Sequence, residues 1–135
     1  MADAGNDSEN LRRLRAAYSG FASGDIPTLL AAVHSDVHWD ASDALLHVGT
    51  YSGHDGVVQY LHSFAKHWED FLLEPKDFSE PEPDTAVVRG RMIGHEKRTG
   101  RLLVADFVHE IQFRDGLVSE IRVHGGDPTE MGKVA

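Results

Sequence analysis

Residues 102–123 read LLVADFVHEIQFRDGLVSEIRV, two runs in which apolar and polar side chains alternate on either side of Arg114-Asp115-Gly116. No other segment restricts the fold as strongly. A period of two puts successive side chains on opposite faces of a strand, and Asp-Gly between two such runs signals a tight hairpin. In the first run Ala105, Phe107, His109, Ile111 and Phe113 share a face, and His109 is its only ionisable residue. A neutral imidazole among apolar neighbours is either a hydrogen-bonded core residue, held by a backbone carbonyl or by Tyr18, or the working group of an apolar cavity.

The elements before this hairpin run from helices to strands. Leu11, Leu14, Tyr18 and Phe21 recur at three- and four-residue intervals, one face of an amphipathic helix that Asp7 or Ser8 can cap and Gly24 can end. A short helix is expected from about Ile26 to Val33, and then a strand in which Val37, Trp39 and Ala41 share a face. The connection over 42–53 is expected to be partly ordered by Leu45, Leu46 and Tyr51. A third helix should open at His54 or Asp55 and carry Val57, Leu61, Phe64 and Trp68 as its apolar stripe. Phe71 to Phe78 reads as a strand that Pro75 confines to an edge or a bulge. Thr85 to Glu96 is a long strand, and Leu117 to His124 closes the sheet. Helices packed on a run of antiparallel strands define an α+β domain.

At 135 residues the chain has the length of one domain: a disordered tail over 1–7, a folded unit over 8–125 and a flexible tail over 126–135. It has no cysteine, so no disulfide framework or zinc ribbon is available. The nine histidines are scattered and form no His-Glu-x-x-His pattern, so no metal is expected. Thirteen basic against 22 acidic residues give a formal charge of −9, which repels phosphate backbones and argues against nucleic acid as a partner. The polar, acidic start MADAGNDSEN lacks the blocks of a signal peptide, and no apolar run approaches a membrane span. A soluble, cytoplasmic protein is expected.

Four segments in series resemble the nuclear transport factor 2-like superfamily, in the branch of SnoaL-like polyketide cyclases and ketosteroid isomerases. They are Phe21-Ala22-Ser23-Gly24-Asp25, Ser35-Asp36-Val37-His38-Trp39, Gly49-Thr50-Tyr51-Ser52-Gly53-His54, and Asp106-Phe107-Val108-His109 running on through Phe113-Arg114-Asp115-Gly116. The resemblance implies a strongly curved, mainly antiparallel sheet of four to six strands wrapped around the N-terminal helices, a cone whose open end is an apolar pocket. Tyr18, Trp39, Tyr60, Trp68, Phe107, His109 and Phe113 are then candidate wall residues, although Phe64 and Trp68 suit the core. The resemblance also implies a homodimer paired through the outer sheet face, where Val104, Asp106, Val108, Glu110 and Gln112 make a mixed surface.

The chain departs from these relatives at the residues that do chemistry. Aligned through Gly24-Asp25, the isomerase's first-helix tyrosine falls on Ala17, with Tyr18 one place over, and its general-base aspartate falls on Ala41, beside Asp40. The isomerase's neutral carboxylic-acid donor falls on His109. The Asp-Arg-Asp set of limonene epoxide hydrolases is absent, since Val104 precedes Asp106 without an arginine between suitable acids. The acidic residue that similar cyclases carry near the last strand has His124 or Asp127 as stand-ins.

His109 therefore carries the functional expectation, because an imidazole with an unperturbed pKa of about 6.5 can act as acid or base near neutrality. Asp40 is a second catalytic candidate, although alternation puts it on the face opposite Trp39; His124 is a further candidate substrate contact. The expected activity is cofactor-independent acid–base chemistry on an apolar carbonyl-containing or polycyclic molecule: isomerisation, aldol-type cyclisation or dehydration. A non-catalytic binding protein and a protein-association domain of the same fold are the alternatives.

Overall fold

The first helix begins where its cap dictates. In the computed structural model, which describes residues 8–43, 49–128 and 133–134 and the side chains of 8–42 and 49–125, α1 spans Glu9–Ser23. The Ser8 hydroxyl accepts a hydrogen bond from the Leu11 amide at 3.1 Å, satisfying one of the donors that a helix start leaves free. Gly24 ends the helix with φ 78°, a left-handed conformation that costs a residue without Cβ little. Asp25 caps α2 (Ile26–Ala31), which stops before the Val33 end expected for it. Val33 instead starts β1 (Val33–Asp43), because the Val33-Val37-Trp39-Ala41 series is buried against the sheet's neighbours and pairs with the last long strand.

β2 (Thr50–Ser52) pairs antiparallel with β1 and leads into α3 (Gly53–His67). Residues 44–48, with Leu45 and Leu46, lie outside the described residues, as do 1–7. The buried stripe of α3 is Val57, Tyr60 and Phe64, with Leu61 half-buried beside it. This corrects the expected Val57-Leu61-Phe64-Trp68 stripe. The helix ends at His67, and Trp68 is already extended (φ −127°, ψ 145°), so it belongs to the next strand rather than to a fourth helical turn.

The remaining strands are β3 (Trp68–Ser79), β4 (Thr85–Glu96), β5 (Arg101–Arg114), β6 (Leu117–Pro128) and β7 (Lys133–Val134). The order β2-β1-β6-β5-β4-β3 makes one mixed sheet: β1 and β6 run parallel, the other neighbours antiparallel, and β7 pairs with the start of β5. β6 thus runs past the expected His124, and backbone pairing continues to Ala105↔Pro128, within the segment expected as a tail. β3 is an edge strand with a register shift after Pro75, both features that Pro75 suggested. The hairpin at Asp115-Gly116 has φ 56° and 78°, the two positive values of a type I′ turn.

Together these elements form the α+β cone, with the helices packed on the concave side of an unclosed sheet. Its core joins α1 and α3 to alternate residues of the strands; Val37, Val57, Val88, Leu103, Phe107 and Ile111 are essentially inaccessible to solvent. Gly90, opposite both Pro75 and Phe107, permits close approach of the strands, since a Cβ there would lie 2.3 Å from the Glu74 carbonyl oxygen and 2.9 Å from the Phe107 ring. No helix among the described residues is long and apolar enough to cross a membrane.

Candidate functional site

The inner face of β5 is the floor of the site. Leu103, Ala105, Phe107, His109, Ile111 and Phe113 are all buried, while Asp106, Glu110 and Gln112 between them are exposed. Pleating makes this division, since each side chain can reach only the face its parity allows. Among the described residues His109 is the only buried charged or polar one, at 7% exposure.

Above it, α1 brings Tyr18 across so that its hydroxyl lies 2.5 Å from His109 Nδ1. Tyr18 is held in turn by the Phe78 ring, edge-on at 5.6 Å, and Phe78 is covered by the Arg15 guanidinium at 4.3 Å. The other ring nitrogen of His109, Nε2, has no hydrogen-bond partner among the described residues. Burial is the main reason that the His109 pKa falls to about 3, with the nearby His124 contributing in the same direction. Burial also raises the Tyr18 pKa well above the ordinary phenol value, reinforced by Tyr60. At neutral pH the pair is therefore a neutral imidazole and an un-ionised phenol. When Tyr18 donates to Nδ1, Nε2 carries the proton and can donate; in the other tautomer Nδ1 donates to Tyr18 and Nε2 is a base.

These two residues border an apolar cavity between α1, α3 and the sheet. Its volume is about 90 Å³. Of the sequence candidates, Tyr18, Trp39, Tyr60, Phe107, His109 and His124 border it. Trp39 and Tyr60 meet at 5.4 Å between ring centroids, and Tyr51, the cross-strand partner of Trp39, stands 5.1 Å from Tyr60. Trp39 is 8% exposed, and its indole Nε1 is enclosed without a hydrogen-bond partner among the described residues. Burial raises the Tyr60 pKa; the Trp39 side chain opposes that shift in part, yet the two groups do not form a hydrogen bond of acceptable geometry.

Three candidates lie elsewhere. Phe113 is buried core beyond the cavity wall, and Trp68 lines a second hollow of about 510 Å³ between the ends of α1 and α3. That hollow is larger but has no buried polar side chain; its only histidine, His62, is exposed. Asp40 is on the outer face, as alternation predicts. Its carboxylate accepts from the Ser42 hydroxyl at 2.6 Å and the Ser42 amide at 2.9 Å, and these bonds hold its pKa below the ordinary carboxylate value.

His124 requires a distinction. It borders the cavity, but it pairs with Val108 across the strands, and cross-strand partners share a face. Its Nε2 lies 3.1 Å from Glu110 Oε1 on the outer side of the sheet. Asp127, the other stand-in for the cyclase acid, lies outside the described side chains.

The sequence candidates omitted Ala17, Met92, Phe71 and Leu73, which also line the cavity. Met92 shares strand parity with Ala86 and Val88, a signal present in the sequence. Phe71 and Leu73 lie on the edge strand, where the register shift between Glu69 and Leu72 disrupts the parity reading. Among the described residues no three His, Asp or Glu side chains gather in an arrangement suited to a metal ion.

The SnoaL-like domain family matches residues 14–121. An NTF2-like protein of unknown function from Burkholderia pseudomallei is similar at 29% identity and TM-score 0.79, over 88% of this chain and 92% of that one. TerC, crystallised with polyporic acid, is similar at 30% identity and TM-score 0.77, over 87% of this chain and 92% of TerC. A protein with a ketosteroid isomerase-like fold from Catenulispora acidiphila, in complex with trimethylamine, shares the fold at 10% identity and TM-score 0.72, over 83% of each chain. No functionally curated protein matches the chain.

Proposed function

Because this chain belongs to the SnoaL-like domain family, whose match covers residues 14–121, we propose that its cavity binds an apolar, ring-containing carbonyl compound and that His109 moves a proton on it without a cofactor. The observation that carries this reading is the Tyr18–His109 pair: one hydrogen-bonded imidazole, with Nε2 uncommitted among the described residues, in a wall that is mostly apolar. The reactions in reach are isomerisation, aldol-type cyclisation and dehydration, each of which needs a proton removed beside a carbonyl or delivered to its oxygen.

The depressed basicity of His109 shapes the role. An imidazole that protonates only near pH 3 stores no proton at neutrality, so with Nδ1 on Tyr18 it works in one tautomer as a neutral Nε2–H donor to a carbonyl oxygen and in the other as an Nε2 base toward a C–H beside a carbonyl. Negative charge developing on the ligand would raise its basicity at the moment of transfer. The cavity's 90 Å³ is below the ~300 Å³ at which ligand sites usually begin, so a ring system must displace the half-buried Phe71 and Leu73 side chains while Tyr18 stays on Nδ1.

Deuterium exchange tests the chemistry. Incubated in heavy water with β-tetralone, a bicyclic ketone with acidic C–H bonds, the protein is expected to exchange protons beside the carbonyl faster than buffer does, and His109→Ala to lose that acceleration. Binding without exchange would favour the second reading, a carrier or sensor of the same molecules; the low basicity of His109 is the observation on its side. For assembly, we propose a homodimer through the outer sheet face, where the Arg91–Glu74 ion pair at 2.9 Å and the His124–Glu110 contact at 3.1 Å make a mixed polar surface. Sedimentation at micromolar concentration is expected to give twice the monomer mass; a monomer would refute it.

A further inference from the structure

The contact between Tyr18 and His109 admits two placements of hydrogen, and they are not equivalent. Burial keeps the imidazole uncharged at neutral pH, so one ring nitrogen carries a hydrogen and the other offers a lone pair. Nδ1 faces the Tyr18 hydroxyl at 2.5 Å, and either group can donate. With Tyr18 donating, the phenol hydrogen and the Nδ1 lone pair satisfy each other, and only Nε2–H is left over. With Nδ1 donating, the phenol hydrogen needs an acceptor of its own. Tyr18 has no other hydrogen-bond partner among the described residues; the Tyr60 hydroxyl acts on it only through space, and the cavity wall around it is mostly apolar. The second placement thus leaves both a hydroxyl hydrogen and a bare Nε2 unpaired, a cost that the first avoids. Acidity points the same way, since a phenol gives up its hydrogen more readily than a neutral imidazole does, and the imidazole nitrogen is the stronger base. Phe78, edge-on to Tyr18 at 5.6 Å, and Phe107, 4.4 Å from the imidazole, pack the two rings in this arrangement.

We propose that Tyr18 is the positioning residue of this site: it donates to Nδ1, fixes His109 as the Nε2–H tautomer, and so makes the cavity present a neutral donor that selects a molecule with an acceptor oxygen. The tautomer stands on the pair alone; the selection rests on the cavity being a ligand site and narrows what that site takes. Nε2 has no partner among the described residues, and unlike a sealed atom it keeps surface open to a space the size of a water molecule. A carbonyl or ether oxygen completes Nε2–H, whereas a hydrocarbon ring leaves it unpaired. Removal of a proton from carbon by Nε2 first requires Tyr18 to release Nδ1, so the resting protein meets its ligand as a donor rather than as a base.

The tautomer is read directly from the full chain labelled with ¹⁵N in its histidine rings, by long-range ¹H–¹⁵N correlation at neutral pH, with His109→Gln to assign the resonances. The expected wild-type pattern is a hydrogen on Nε2 and a lone pair on Nδ1, with the other tautomer under about a tenth of the population. Tyr18→Phe should relax His109 toward the mixture of a free imidazole. A difluorinated tyrosine in place of Tyr18, a stronger acid of similar size, covers the case in which circular dichroism shows Tyr18→Phe unfolded; it should move the Nδ1 resonance further in the hydrogen-bonded direction. A hydrogen on Nδ1 in the wild type, a folded Tyr18→Phe that keeps the wild-type pattern, or an Nδ1 resonance that retreats in the fluorinated protein would overturn the positioning role. β-Tetralone is then added, and separately tetralin, the same bicycle without oxygen. The ketone should shift Nε2–H downfield and the hydrocarbon should not. Saturable binding of β-tetralone that leaves Nε2–H in place would overturn the selection and leave the cavity reading intact. A protein with the expected tautomer that binds neither compound would overturn the cavity reading and leave the tautomer standing.

Discussion

His109 and His124 occupy adjacent strands one register step apart, and that step separates them across the sheet. His109 pairs with Val123 and points inward; His124 pairs with Val108 and bonds Glu110 outside. The inner imidazole has exchanged water for a phenol and aromatic rings, Phe107 at 4.4 Å and Tyr18 at 5.8 Å between centroids, and its charged form is penalised down to a pKa of about 3. The outer one keeps a third of its side chain in solvent and faces a carboxylate that is more than half exposed. The same side chain is thus an uncharged hydrogen-bonding group in one place and half of a screened surface pair in the other. Parity and burial decide between them, not residue type.

The largest expected effect separates the two in activity. His109→Ala should lower proton exchange on β-tetralone by roughly 10²–10⁴-fold, whereas His124→Ala should leave the rate within a few-fold of wild type. Equal losses would break the comparison and return His124 to the site. Stability gives the next contrast. In the unfolded chain His109 takes up a proton near its ordinary value of about 6.5, but in the fold only near pH 3, so acid favours the unfolded state. The stabilisation is complete above about pH 6.5 and is lost as pH falls toward 3, at up to about 1.4 kcal/mol per pH unit. Urea unfolding across that window should show the slope in wild type and lose this component in His109→Gln.

Tyr18→Phe sharpens the inner half of the comparison. It leaves Nδ1 without its partner and should cost about 1–3 kcal/mol in denaturant unfolding. A double-mutant cycle with His109→Ala should return a coupling of about 0.5–3 kcal/mol; zero coupling would mean that the 2.5 Å contact does no energetic work. The smallest effect belongs to the outer pair. Glu110→Gln should change stability by no more than about 1 kcal/mol, less in high salt, because both partners are solvated.

Much of this contrast was legible in the residues. The alternation of β5, the Asp115-Gly116 turn, the extent of Thr85–Glu96 and the outward placement of Asp40 follow from local pattern and appear as expected. Tyr18 illustrates the limit. It lies on the apolar stripe of α1 whether it packs in core or reaches a cavity; only the placement of α1 over β5 brings it to an imidazole 91 residues away. Trp68 was misplaced because hydrophobic spacing continues past His67 although the backbone does not, and Tyr60 displaced Leu61 from the core because the sheet approaches α3 from the Val57-Tyr60-Phe64 side. The extra pairing of residues 126–128 and 133–134 carries no strong local signal, since polar, glycine-containing segments join a sheet only when a free edge is offered.

What the sequence by itself determined is which side chains can share a face: periods of two and 3.6 are properties of the backbone, and they put His109 among apolar neighbours before any contact is known. The tertiary structure decided whether that face is sealed or hollow and that Tyr18 rather than a carbonyl meets Nδ1. Those outcomes depend on the packing of elements far apart in the chain, where a shift of one ångström makes or breaks a hydrogen bond, and no local pattern encodes that distance.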